Sequence, residues 1–151
     1  MHIRAATNAD ITAISQLICA SVRKFIAPSC TEQGAELLLK SMDIQSITHY
    51  FDSDYQYSVA VINDSIIGVI GIRDNSHLYH LFVSKTHQGQ GVSKKLWDHG
   101  KQQAINNGNP GFFTVNSALN ASALYVKWGF IPQSDIRERA GIKDIPMRLI
   151  V

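Results

Sequence analysis

Cysteine, charge and long apolar runs are all scarce in this 151-residue sequence. Only Cys19 and Cys30 occur, too few for a disulfide scaffold and without CxxC spacing, so a reducing, cytoplasmic setting is the expectation. Charged residues reach 17% against the ~25% usual for soluble domains, while hydrophobic residues hold at 45%, which excludes a disordered chain. The longest apolar stretches, Ser58 to Ile62 and Ile66 to Ile72, fall far short of the ~18 residues of a membrane span. The opening Met1-His2-Ile3-Arg4 has no secretory pattern, so a soluble protein is expected. With 14 basic and 12 acidic residues the net charge is +2, and the basic residues are scattered, so no nucleic-acid footprint is expected either. The length suits one domain, residues 1–151, with a core that needs no metal or disulfide.

Hydrophobic spacing lays out the elements. Ile3 to Ala6 reads as a strand, and Ile11, Ile14, Leu17 and Ile18 as a helix capped by Asn8 or Asp10 and running to about residue 24. A second helical stretch runs from Thr31 to about Phe51, weakened by Gly34 and by the β-branched residues near Ile47, which leaves a break in it open. Tyr57 to Ile62, a turn at Asn63-Asp64-Ser65, and Ile66 to Ile72 form a hairpin, with Leu78 to Val83 as the next strand. An amphipathic helix after Gly91, a strand at Phe112 to Val115, a short helix from Asn120 to Trp128 and strands at Phe130-Ile131 and Ile145 to Ile150 complete the chain. The order β-α-α-β-β-β-α-β-α-β-β implies a mixed, largely antiparallel α/β sheet flanked by helices.

One junction carries chemistry. Gln88-Gly89-Gln90-Gly91-Val92-Ser93-Lys94 lies between an apolar strand and an amphipathic helix, where unpaired N–H groups and the positive end of the helix dipole favour an anion. A Rossmann loop would need glycine where Lys94 stands, and no Walker Gly-Lys-Ser/Thr follows. Taken alone, the loop is equally well a plain turn before a helix.

A second segment adds weight: Asn120-Ala121-Ser122-Ala123-Leu124-Tyr125, closing on Gly129-Phe130. Together with Leu81-Phe82-Val83 and the Gln88-x-x-Gly91-x-Ser93 loop, it resembles the GCN5-related N-acetyltransferase (GNAT) family. Ser93 departs from the family's final Gly/Ala, but serine is small and its hydroxyl can donate to a phosphate oxygen. The resemblance implies the acyl-coenzyme A N-acyltransferase fold, with the strand ending at Val83 parting from the strand through Phe113 and Val115. It also implies acetyl-coenzyme A as cosubstrate and no metal: the main chain of Phe82 and Val83 would hold the pantetheine, and Gln88, Gly89, Gln90, Gly91, Val92, Ser93 and Lys94 the pyrophosphate. Asn120 would hydrogen-bond the cofactor, or else cap its helix.

The implied activity is acetyl transfer to a primary amine that attacks the thioester directly; the alternative is a catalytically silent acyl-coenzyme A binding or sensing module. Tyr125 is the expected proton donor to the departing thiolate, against a second reading as a core aromatic. His80, or His77 beside it, is the expected base, against a reading as an ordinary strand residue. Three apart on a strand, the two histidines are expected to face opposite sides. The resemblance implies an acceptor site, for a small-molecule, peptide or protein amine, near Phe25 to Cys30 and Ile136 to Ile142, with Arg137, Glu138 and Arg139 either selecting charge or forming a solvated turn. Neither nucleic acid nor membrane is an expected partner, and homodimerisation stays open.

Overall fold

The computed structural model describes residues 1–151. Eight strands form one sheet in the order β1-β2-β3-β4-β5-β8-β6, with β7 pairing β8 to the side. They are β1 His2–Ala5, β2 Tyr55–Ile62, β3 Ser65–Arg73, β4 His77–Val83, β5 Phe112–Ser117, β6 Ile131–Pro132, β7 Arg137–Arg139 and β8 Ile142–Ile150. All pairings are antiparallel except β4 with β5, so the sheet is mixed and largely antiparallel, as the pattern predicted. The helices are α1 Ile11–Ser21, α2 Glu32–Lys40, α3 Ile44–Phe51, α4 Val92–Asn106 and α5 Ser122–Lys127. None is long and apolar enough to cross a membrane.

Alternation along the central strands feeds two cores. One face carries Ile70, Ile72 and Leu78 against Leu96 and Trp97 of α4, with Phe113 and Phe130 closing around the indole at 5.1 and 5.5 Å between ring centroids. The other carries Tyr57, Val59 and Val69 against Ile14, Ile18 and Ile47 of α1 and α3. Burying each such aliphatic side chain contributes about 1.5–3 kcal/mol. Both faces of β2 and β3 are therefore apolar, which explains their near-continuous hydrophobic runs.

Two local expectations are corrected, and the break open in the second helical stretch is located. The stretch from Thr31 to Phe51 is two helices, because Asp43 accepts the Ser46 N–H at 2.8 Å and starts α3 afresh. The first helix ends in a π-helical turn, Val22–Ile26, which the sequence pattern did not separate from the α-helix. Arg137 to Arg139 is neither a turn nor a loop but a strand, joined to β8 through Ala140 and Gly141 at φ 52° and 80°.

Candidate active site

Parallel pairing between β4 and β5 stops after His77–Thr114 and Leu78–Val115, although both strands run on, to Val83 and Ser117. Past Leu78 they separate, and β4 presents an unpaired edge. The Ser84 N–H donates to the Ile67 carbonyl at 2.8 Å, which sets the phase: peptide groups alternate in direction, so those of Phe82 turn into β3 and those of Leu81 and Val83 into the opening. Phe82 is thereby corrected: its main chain belongs to the sheet ladder, Leu81 takes its place at the opening, and its ring lines the neighbouring cavity. The Val83 carbonyl already accepts from Gln88 Nε2 at 3.2 Å, tying the glycine loop to the strand.

Gly89 and Gly91 sit at φ 76° and 78°, in the left-handed region that glycine adopts without strain. A Cβ at either position would meet nothing within 4 Å, so the space above the loop is open. The first helical bond of α4 is Lys95 N–H to the Gly91 carbonyl at 3.2 Å, and the N–H groups from Gly89 to Lys94 have no acceptor within the chain. Val92 anchors this rim in the core, while Gly89, Gly91, Ser93 and Lys94 line a groove of about 760 Å³ with Lys127 opposite. Gln90 is exposed, its Nε2 3.5 Å from the Thr86 carbonyl. The loop thus presents a run of unengaged N–H donors beside Lys127 and Lys94, the latter paired with Asp98.

Tyr125 borders both this groove and a second cavity of about 270 Å³ on the other side of β4. The residue is 6% exposed and lies edge-on to Trp128 and Phe130, at 5.7 and 5.6 Å, yet its hydroxyl has no hydrogen-bond partner in the chain. Burial raises the phenol's pKa, so it stays protonated throughout the ordinary pH range. Core packing and a place at the groove are here the same position. Asn120 also borders both spaces; α5 begins after Ala121 without a side-chain cap, so the capping alternative fails and the Asn120 amide is free.

The histidines depart most from expectation. Gly71 pairs with His80 and Ile72 with Leu78, leaving Tyr79 as an extra residue in a β-bulge. That extra residue resets the alternation, so His77, Tyr79 and His80 share one face, with ring centroids 6.4 and 4.4 Å apart in succession. His80 Nδ1 lies 2.8 Å from the Tyr57 hydroxyl, and its Nε2 is buried without a partner. Burial pulls its pKa down to about 3 and that of His77, bonded to Thr114 Oγ1 at 2.7 Å, to about 4. His80 lines the cavity as a neutral ring with little affinity for a proton at pH 7, against the base role expected of it. No group of three or more His, Cys, Asp or Glu is arranged to hold a metal ion.

Sequence reasoning missed Tyr79 and Asp144, both in the cavity wall. Tyr50 donates its hydroxyl proton to the Ser41 carbonyl at 2.9 Å, so the 3.2 Å contact with Tyr79 uses the Tyr79 proton and leaves the Tyr79 oxygen able to accept. Asp144 is held by Arg137, with Nε at 2.5 Å.

Residues 26–151 match the family model described as an acetyltransferase (GNAT) domain. The chain belongs to the GNAT acetyltransferase family. Among solved structures, this GNAT acetyltransferase is similar to a GCN5-related N-acetyltransferase from Rhodopseudomonas palustris, at 18% identity and TM-score 0.86, covering 99% of this chain and 95% of that one. It is also similar to the PaiA N-acetyltransferase of Thermoplasma acidophilum, solved with coenzyme A, at 15% identity and TM-score 0.84 over 99% and 98% of the two chains. A ribosomal-protein-alanine N-acetyltransferase from Brucella melitensis aligns over 100% of both chains at 18% identity and TM-score 0.73. No curated protein matches the sequence.

Proposed function

We propose that this GNAT acetyltransferase moves the acetyl group of acetyl-coenzyme A to a primary amine that attacks the thioester directly. One observation carries the reading. The opening between β4 and β5 joins a groove of unengaged N–H groups to a separate cavity, and Tyr125 stands on their shared border.

The residues present fit the coenzyme. The outward peptide groups of Leu81 and Val83 match amides of a pantetheine arm, and the N–H groups from Gly89 to Lys94 match its diphosphate, with Asn120 offering a free amide. When bound, the coenzyme supplies the activated acetyl thioester. Tyr125 holds a proton on Oη and gives it to the leaving sulfur; because the phenol is the weaker acid, that transfer accompanies C–S cleavage. Gln88 orients the loop through the Val83 carbonyl. His80 is assigned to the cavity wall, since a ring kept neutral by burial takes no proton from an ammonium at pH 7.

The test is thermal unfolding with acetyl-coenzyme A, coenzyme A, ADP and NAD, followed by a thiol-release assay over an amine library. A ligand of the folded state must raise Tm, by about 2.7 kcal/mol of stabilisation at 100 times its Kd. Protection by acetyl-coenzyme A with thiol release on adding an amine is expected. Equal protection by ADP or NAD, with none by coenzyme A, would reject the reading; protection without turnover of any amine would make the chain a binding module.

A further inference from the structure

The acceptor side of the site has a definite chemistry. The π-helical turn carries Phe25 and Ile26 to the cavity, α2 brings Leu38, the turn after it brings Met42, β4 brings the Phe82 ring, and β8 brings Ile142. At about 270 Å³ the space lies just under the ~300–1,000 Å³ of sites that hold drug-sized ligands. It cannot grow at the hairpin end. There the turn at Gly141 rests directly on α2, with the Thr31 N–H bonded to the Gly141 carbonyl at 3.0 Å and Gly34 in backbone contact.

Formal charge on the wall is limited to Lys143 and Asp144. The Asp144 carboxylate is already engaged, by Arg137 Nε at 2.5 Å and Nη2 at 3.4 Å, with Arg139 Nη2 at 3.8 Å. An acceptor with several ammonium groups would therefore bring charges into this space and find no free carboxylate, beside an ammonium and two guanidiniums. The remaining polar groups of the wall, among them Asn116, Asn120 and the unpartnered His80 Nε2, carry no charge and so suit one amine better than several ammonium groups. The Tyr79 oxygen can accept one N–H, because its own proton goes to Tyr50.

We propose that the acceptor is a compact monoamine with an apolar body, rather than a polyamine or an aminoglycoside; this rests on the transferase reading above. The same wall then answers how the amine becomes nucleophilic. Desolvation disfavours its ammonium form and lowers its pKa, so the proton leaves to water as the amine enters, and no dedicated base is needed in the wall. The amine nitrogen forms the new C–N bond, the C–S bond breaks, the sulfur takes its proton from Tyr125, and the proton that the nitrogen sheds on becoming an amide passes through water to restore the phenol.

The experiment compares kcat/KM at saturating acetyl-coenzyme A for 2-phenylethylamine and hexylamine with spermidine, kanamycin and a peptide bearing one lysine. The apolar monoamines are expected to exceed spermidine and kanamycin by 100-fold or more, and the Leu38→Glu variant, which adds a free carboxylate to the wall, to narrow the gap with spermidine at least tenfold. Turnover confined to spermidine, kanamycin or the peptide, or equal turnover of all five, overturns this inference and leaves the transferase reading standing. Coenzyme protection with no thiol release from any of the five overturns this inference as well, and the amine library then decides the transferase reading.

Discussion

The Tyr125 phenol is buried among aromatic rings yet free at its hydroxyl, so replacing it separates packing from proton transfer. Tyr125→Phe keeps the ring and removes only the proton. General acid catalysis is worth about 10²–10⁴-fold, so kcat should fall by about 10²-fold while Kd for coenzyme A barely moves. Steady-state kinetics beside calorimetric titration check this; unchanged kcat would return Tyr125 to the core alone. Gly91 poses the complementary question. Its φ of 78° strains any other residue by about 1–2 kcal/mol, and a Cβ there projects into the open space above the loop. Gly91→Val should therefore weaken coenzyme binding at least tenfold, in calorimetry, with the folded state retained. The places of both residues on the groove were legible in the sequence because each sits in a motif with fixed spacing. Tyr79 and Asp144 were not: the role of one depends on a bulge, and that of the other on which arginine reaches it across a hairpin.

Elements show the same division between local and non-local information. The β2–β3 hairpin, α4 and the strand leading into the glycine loop follow from period and turn chemistry, which act over a few residues. The β4 bulge does not, because it is a relation between two strands: nothing in His77-Leu78-Tyr79-His80 says that Gly71 faces His80 while Ile72 faces Leu78. The face of every residue on the His77 side of the bulge inverts relative to simple alternation, which is why the histidines were misplaced. Gly34 was read as a weak point of a helix, whereas its missing side chain makes room for the hairpin turn. A Cβ there would collide with the Gly141 main chain, which cannot step aside while the Thr31 N–H holds it. Gly34→Ala should cost about 1–3 kcal/mol of stability and raise KM for the amine several-fold, with coenzyme affinity unchanged because the groove lies beyond β4. Thermal unfolding and kinetics together decide it: a loss of stability with an unaltered KM would mean that the hairpin supports the fold without shaping the acceptor cavity.

At the scale of the whole molecule, the sheet separates one core under α4, which holds Tyr125, from another under α1 and α3, against which His80 packs. His80 is bonded to Tyr57 of that core, and its pKa near 3 lies far below the 6.5 of an exposed imidazole. The folded pKa is depressed, so between pH 6.5 and 3 the unfolded chain binds a proton that the folded chain refuses. Stability is thus fully present above pH 6.5 and is lost as pH falls. His77, with its pKa near 4, acts in the same direction with a smaller weight because it is only partly buried, and Asp10, held to about 2 by Arg4, adds its loss at lower pH. Between pH 6.5 and 5 the His80 contribution amounts to about 2 kcal/mol, at about 1.4 kcal/mol per pH unit for one proton. Urea unfolding across this range should therefore show stability rising with pH, and His80→Gln, which keeps a polar contact for Tyr57 but cannot titrate, should flatten that slope by about one proton. A His80→Gln slope equal to that of the wild type would mean that the ring is protonated in the folded state after all, and the neutral wall argued for the acceptor cavity would lose its basis.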